Sequence, residues 1–105
     1  MFGPLKATAG SVVWRSDLSA VRPNPGNGNF TFDFAVPRES NVRLSVLDVQ
    51  GREVALLYSG SRGAGLWQAV WSGETSSGVK AAPGMYFVRY QAPDKVHFSR
   101  VVLAR

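Results

Sequence analysis

The chain of 105 residues contains no cysteine. It therefore forms no disulfide, has no thiolate chemistry, and lacks the ligands of a zinc finger. It also lacks any apolar run of the roughly 18 residues that a membrane-spanning helix requires. The N-terminal part does not resemble a signal peptide, because no apolar segment of about seven or more residues follows Lys6, the only charge before Arg15. The absence of cysteine leaves the compartment open.

Sustained helical periodicity is missing as well. Eleven glycines and six prolines interrupt the chain too often for long helices. The apolar fraction of 45% is nevertheless sufficient for a real core. A chain of this length has room for a single core only. We therefore predict one all-β domain.

The sequence also lacks a recognisable catalytic constellation. His97 is the only histidine, and no Gly-x-Ser-x-Gly motif supplies an activated serine. The acidic residues do not have the alternate spacing of a calcium loop. The glycines between Ser59 and Gly65 do not join a strand to a helix, so they lack the context of a phosphate-binding loop. A glycosidase pair of carboxylates would need a deep cleft, which small domains rarely build. We predict no enzyme activity, no cofactor and no metal site.

The positive charge is spread along the chain. The net charge is +5, and no two of the twelve lysines and arginines are adjacent. Such a charge attracts anionic partners, including nucleic acid, acidic polysaccharide or a membrane surface. Nucleic-acid binders usually concentrate their cations in a patch or stripe. The scattered pattern favours a solvated surface, and we do not expect a nucleic-acid partner.

Alternating apolar residues predict short strands. In the stretch Phe30–Val36, three phenylalanines occupy one face, and each contributes on the order of 2 kcal/mol when buried. A hairpin is predicted over 41–58, followed by a flexible loop at Ser59–Gly65. Further strands are predicted at 66–72, 85–91 and 96–103. Six or seven short strands predict a sandwich, since a single open sheet would leave an apolar face in water.

The aromatic residues between 66 and 90 form two rows. Trp67 and Trp71 share one face of a strand with Ala69. Tyr86 and Tyr90 repeat this spacing on the next strand. We interpret the stretch as two antiparallel strands joined by a polar connection, with the aromatic rows on one face. The small Ala69 between the tryptophans favours the core over a sugar-stacking platform.

Two isolated residues have competing interpretations. Trp14 follows Val12 and Val13 in a short apolar run, which predicts either an extra edge strand or an extended arm on the sandwich. We favour an anchored Trp14 over one that is exposed for a ligand. Asp48 ends a predicted strand before a turn at Gly51. We predict that Asp48 accepts turn amides or pairs with Arg52, because no second acid or base is evident for catalysis.

An ordered set of motifs extends over residues 21–105. Its members, in order, are Arg22-Pro23-Asn24-Pro25, Phe30–Pro37, Val42–Asp48, Gly51–Val54, Ala64-Gly65, Trp71-Ser72-Gly73, Gly78, Gly84–Arg89 and Ser99–Leu103. This set resembles the type A C-terminal sorting domain of the type IX secretion system. It is equally similar to the related Ig-like domain of flagellar hook-cap proteins. The family usually has aspartate where this chain has Ser72, so we expect Ser72 to cap the following turn more weakly.

The resemblance implies a fold and a role. It implies a seven-stranded Ig-like, fibronectin III-like sandwich over residues 21–105, preceded at 1–20 by a linker or N-terminal extension. Such domains lie at the C-terminus of exported proteins and are recognised by outer-membrane secretion machinery. They are commonly cleaved off during attachment to the cell surface. The implied location is secreted or at the cell surface, and the implied partners are that machinery and an upstream cargo domain.

Two other functions remain open. The first is an Ig-like structural or assembly module of a multidomain extracellular or hook-cap-like protein. The second is a carbohydrate-binding module, for which exposed tryptophans would provide the platform and a glycan would be the partner.

A recognition surface is also implied. An edge strand can pair with a partner through its free backbone groups. The candidate recognition residues are Pro23, Asn24, Pro25, Gly51, Arg52, Arg100, Val101, Val102, Leu103 and Arg105. The alternative is that Pro23, Gly51 and Gly73 simply hold turns.

Overall fold

A computed structural model describes residues 15–105. The expectation for Val12–Trp14 lies outside these residues. Within them, the chain forms seven strands and no helix. The strands are β1 (Asp17–Leu18), β2 (Phe30–Val36), β3 (Ser40–Asp48), β4 (Glu53–Arg62), β5 (Gly65–Trp71), β6 (Gly84–Gln91) and β7 (Val96–Leu103).

The strands form two antiparallel sheets. One sheet has three strands in the order β1-β2-β5, and the other has four in the order β4-β3-β6-β7. The chain crosses between the sheets after β2, β4 and β5, so each sheet contains strands that are distant in sequence. The all-β Ig-like sandwich predicted from the sequence is confirmed.

The interpretation of the aromatic stretch requires a correction. β5 pairs with β2, whereas β6 pairs with β3 and β7. The two aromatic rows therefore face each other across the core, and the ring centroids of Trp71 and Tyr86 are 5.3 Å apart. An alternating pattern shows which face of a strand is apolar, but it does not specify the strand's neighbour.

The loop predicted at Ser59–Gly65 is wrong for most of its length. β4 continues to Arg62, and residues 59–62 pair with 40–43 of β3. Gly60 takes a φ of 145° opposite Val42, a backbone conformation that glycine adopts readily. The glycines therefore lie within a paired strand, and only a short connection to β5 remains.

Two tyrosine hydroxyls join parts of the core. The Tyr90 hydroxyl donates a 2.8 Å hydrogen bond to the carbonyl of Ala35, which links the two sheets. Burial, with a smaller contribution from Asp94, raises the pKa of Tyr90 above its ordinary value. The Tyr86 hydroxyl bonds back to the Ala82 carbonyl at 2.5 Å, just before β6 begins. A tyrosine that bonds to backbone a few residues upstream is a recurring corner of Ig-like folds.

Candidate recognition site at the C-terminal edge strand

Residues 22–26, which we call the proline clasp, lie along the outer edge of β7. The Asn24 side chain donates to the Arg100 carbonyl at 2.8 Å and accepts from the Val102 amide at 2.9 Å. The Gly26 amide donates to the Val102 carbonyl at 3.1 Å, and the Ala104 amide donates to the Gly26 carbonyl at 2.8 Å. The clasp thus occupies backbone groups that an edge strand would otherwise expose.

Local sequence explains how the clasp is held. Arg22 exchanges two backbone hydrogen bonds with Thr31 of β2, at 2.9 and 2.7 Å. Gly26 is required because a Cβ there would lie 2.9 Å from the Pro23 side chain and 3.0 Å from Phe30. The peptide bonds before Pro23 and Pro25 are both cis. Through its hydrogen bonds to Thr31 of β2 and to β7, the clasp bridges the two sheets at one end of the sandwich.

The structure brings the first and last groups of candidate recognition residues together. Pro23, Asn24 and Pro25 are exposed beside Arg100 and Arg105, which are also exposed. The Arg105 guanidinium donates to the Gly73 carbonyl at 2.9 Å and holds the end of the chain against the turn after β5.

The neighbouring residues of β7 alternate between surface and core. Val102 is partly exposed, whereas Val101 and Leu103 are 0% and 1% exposed. The side chains of Val101 and Leu103 belong to the core, so at these positions only the backbone lies near the edge.

Gly51 and Arg52 lie in the β3–β4 turn at the same end of the sandwich. The Asp48 carboxylate accepts from the amides of Gln50 at 2.9 Å and Arg52 at 3.0 Å, and from the Arg52 guanidinium at 3.0 Å. The structural role predicted for Asp48 is confirmed. The hydrogen bond from the Arg52 amide is the main cause that lowers the pKa of Asp48 below its ordinary value of 3.8.

This lowered pKa predicts a loss of stability in acid. Because the pKa of Asp48 is lower in the folded chain than in the unfolded chain, its contribution is complete above the unfolded value and is lost as pH falls through the folded value. We expect Asp48→Asn to flatten the fall in urea midpoint below about pH 4. Glu74→Gln, at an exposed position, is the control and is expected to follow the wild-type curve. An unchanged pH dependence in Asp48→Asn would contradict the assignment.

The tryptophans do not form a joint platform in the described part of the chain. Trp71 is fully buried, whereas Trp67 is half-buried. The Arg62 guanidinium lies 4.6 Å from the Trp67 ring centroid and 4.4 Å from that of Tyr58. The predicted core placement is therefore confirmed fully for Trp71, while Trp67 packs at the margin. The position of Trp14 lies outside residues 15–105.

The turn after β5 is closed without the hydroxyl of Ser72. The Trp71 indole donates to the Glu74 carbonyl at 2.8 Å, and the Ala81 amide donates to the Gly73 carbonyl at 2.9 Å. Within residues 15–105 the Ser72 hydroxyl makes no hydrogen bond. The indole and the backbone thus stabilise the turn, and the weak cap expected from Ser72 is not found in the described part of the chain.

A polar cluster that the sequence did not indicate lies at the start of the described chain. The hydroxyl of the buried Ser16 lies 2.7 Å from His97 Nε2, and the Ser16 amide donates to Asp94 at 3.2 Å. A hydrogen bond from the Ser16 side chain is the largest cause that lowers the pKa of Asp94, and the bond from the Ser16 amide adds to it. The Tyr90 ring stacks on the His97 ring, with 5.6 Å between the ring centroids. Ser16 and His97 are 81 positions apart in the chain, which leaves no local signal, and the contacts anchor the N-terminal segment to β7.

Within the described residues there is no group of three potential metal ligands. The same residues contain no helix long and apolar enough to cross a membrane.

The sheet order, the inter-sheet aromatic core and the tyrosine corner define an Ig-like β-sandwich domain. Residues 19–95 match the family model of the FlgD Ig-like domain, and the chain belongs to this family. Among solved structures, the chain is similar to dimeric latent PorU from Porphyromonas gingivalis. The two are 20% identical with a TM-score of 0.57, and the match covers 88% of this chain and 10% of that chain.

The chain thus spans about a tenth of the PorU length, and this likeness shows the fold alone. No curated protein matches the sequence.

Proposed function

We propose that this domain is a non-catalytic sorting module that directs an exported protein through the type IX secretion system to the cell surface. The ordered motifs over residues 21–105 support this role through their resemblance to type A sorting domains. The observation that carries the proposal is that two separate groups of candidate recognition residues, in the proline clasp and at 100–105, are joined into one surface. The partners are outer-membrane secretion proteins and an upstream cargo domain.

The geometry indicates how such a surface would be recognised. Asn24 uses both polar ends of its amide to bond β7, which fixes this side chain against the strand. The exposed features are the rings of Pro23 and Pro25 and the side chains of Arg100 and Arg105. Recognition of this surface requires the folded domain, because its parts are separated by some 75 residues in the chain.

The test is export of a fluorescent cargo that carries residues 1–105 at its C-terminus, in a bacterium with a type IX secretion system. We expect cargo at the cell surface of the wild-type host and retention in a host that lacks the secretion apparatus. A fusion that remains inside wild-type cells, while its sandwich resists protease as a folded domain does, would overturn the proposal.

Asn24→Ala provides a variant directed at the clasp. It removes two hydrogen bonds to β7, and we expect a loss of about 1–2 kcal/mol in the free energy of unfolding. We also expect faster hydrogen exchange at the Val102 amide and less cargo at the surface. Asn27→Ala is the matched control, because Asn27 is exposed close to the clasp and makes no side-chain hydrogen bond within residues 15–105. Equal exchange rates in the two variants would contradict the role of Asn24.

Membership of the FlgD Ig-like family favours a second candidate, a structural or assembly module of a multidomain protein. A parent gene that encodes a signal peptide and a hydrolase would favour the sorting function over this candidate. A carbohydrate-binding role has weaker support, because the fully buried Trp71 cannot offer a ring to a sugar.

A further inference from the structure

The outer face of the four-stranded sheet carries apolar side chains that the core does not use. Phe98 is 60% exposed, Val96 44%, Leu56 42% and Met85 41%, and these are four of the seven large apolar side chains that are exposed within residues 15–105. Strand register places all four on the same side of the sheet, in separate rows. Phe98 is opposite Arg89, Arg89 is opposite Ser45, and Ser45 is opposite Leu56. We call this surface the outer face.

The outer face also carries an excess of positive charge. Glu53 is shared by Arg43, at 2.9 Å, and Arg89, at 3.5 Å. Arg100 lies on β7 opposite Phe87 and has no ion pair within the described chain. Three guanidinium groups are therefore balanced by a single carboxylate.

The same face contains polar atoms without partners. Ser45 Oγ, Arg89 Nε and Gln91 Oε1 are buried and make no hydrogen bond within residues 15–105. Buried polar atoms are normally satisfied, and each exception calls for an explanation. Arg89 and Gln91 are neighbours on one side of β6, and Ser45 pairs with Arg89. Modest movement of the long Arg89 side chain would present its guanidinium to a partner.

We infer that the outer face docks a partner protein segment that combines carboxylates with large apolar side chains. This inference rests on the proposed sorting function and specifies the surface and the partner chemistry. Apolar side chains of the partner would cover Phe98 and Met85, and its carboxylates would pair with Arg89 and Arg100. Charge disfavours a second copy of this chain, because each copy brings a net +5 and the same excess of guanidinium groups.

A peptide titration followed by NMR tests the surface directly. The probe is a short synthetic peptide in which glutamate alternates with leucine and phenylalanine, and its control replaces each glutamate with lysine. We expect the glutamate peptide to shift the amides of Met85, Phe87, Phe98 and Val102, with weaker binding at higher salt. The lysine peptide should leave them unchanged.

Three results of the titration would overturn the inference. They are no shifts at millimolar glutamate peptide, equal shifts with both peptides, or shifts confined to other surfaces. Phosphatidylglycerol vesicles form a separate arm. Shifts on the outer face with vesicles but not with the glutamate peptide would assign the face to a lipid and would also overturn the proposed partner.

Matched variants test which side chains of the outer face bind the peptide. Phe98→Ser and Arg100→Glu are each expected to weaken peptide binding by about tenfold. Val79→Ser is the apolar control, because Val79 is 62% exposed in the connection between β5 and β6. Arg38→Glu is the charge control on an exposed turn. Both controls should change binding by less than about twofold.

The export assay separates the two proposals. If the wild-type fusion is exported and the Phe98→Ser fusion is exported equally well, the outer-face inference fails and the sorting function stands. If the wild-type fusion is not exported, the sorting function fails irrespective of the peptide result. Unchanged NMR spectra away from the substituted position verify that the variants are folded.

Discussion

Replacing Trp71 with alanine is expected to lower the free energy of unfolding by about 4 kcal/mol. The ring is fully buried between the sheets, where it stacks on Phe30 at 5.6 Å and contacts Tyr86 edge-on at 5.3 Å. Its indole also closes the following turn through the Glu74 carbonyl. The variant therefore loses apolar burial, two aromatic contacts and a hydrogen bond. Urea unfolding, followed by far-ultraviolet circular dichroism, measures the change.

Trp67→Ala is the matched control for Trp71→Ala. Trp67 lies on the same strand and the same face, but it is only half-buried and covers the margin of the core. We expect a loss of about 1–2 kcal/mol, since less apolar area leaves the core. Equal losses in the two variants would contradict the assignment of Trp71 as the central core residue.

Gly28→Ala is expected to destabilise the domain by at least about 2 kcal/mol. Gly28 has a φ of 144°, and a Cβ at this position would lie 2.8 Å from the Ser72 carbonyl oxygen. The unfavourable φ and the close contact both involve backbone atoms, so a side-chain rotation cannot relieve them. The segment after the clasp and the turn after β5 would have to move apart. Thermal unfolding provides the measurement.

Gly63→Ala is the control for Gly28→Ala. Gly63 lies between β4 and β5, and a Cβ there would meet no atom within 4 Å. We expect a change within about 0.5 kcal/mol, as for most surface substitutions. Comparable destabilisation at both positions would show that the close approach of Gly28 to Ser72 is not the cause of the lost stability.

The sequence predicted structure best where a residue pattern depends on a single strand or turn. Phe30–Val36 alternates cleanly because one face enters the core, and β2 has these bounds. The turn at Gly51 was also predictable, since Asp48 and Gly51 have local roles that depend on only a few neighbours. Such features follow from short-range chemistry.

Features that depend on distant partners were not predictable. The placement of β5 and β6 in different sheets depends on pairing with β2 and β3, and no pattern within 66–90 encodes it. The extension of β4 through Gly60 depends on β3 offering a complementary edge. A glycine-rich stretch indicates a loop when read alone, but pairing with a neighbouring strand can override that preference.

In the candidate site as well, local features were predictable from the sequence, whereas contacts between distant residues were not. The family resemblance implied candidate recognition residues at 23–25 and 100–105, but it did not indicate that Asn24 joins them. The contact between Ser16 and His97 left no trace in the sequence, because it spans almost the whole described chain. The outer face emerged only when strand register placed Phe98, Arg89 and Ser45 in one row.

The measurement that tests the sorting function most directly is the fraction of fused cargo that external protease can reach on intact cells. We predict that most cargo fused to this domain is accessible in a host with the type IX secretion system and protected in a host without it. Cargo that is protected in both hosts, with the domain folded, would contradict the sorting function and leave the structural Ig-like module as the better description.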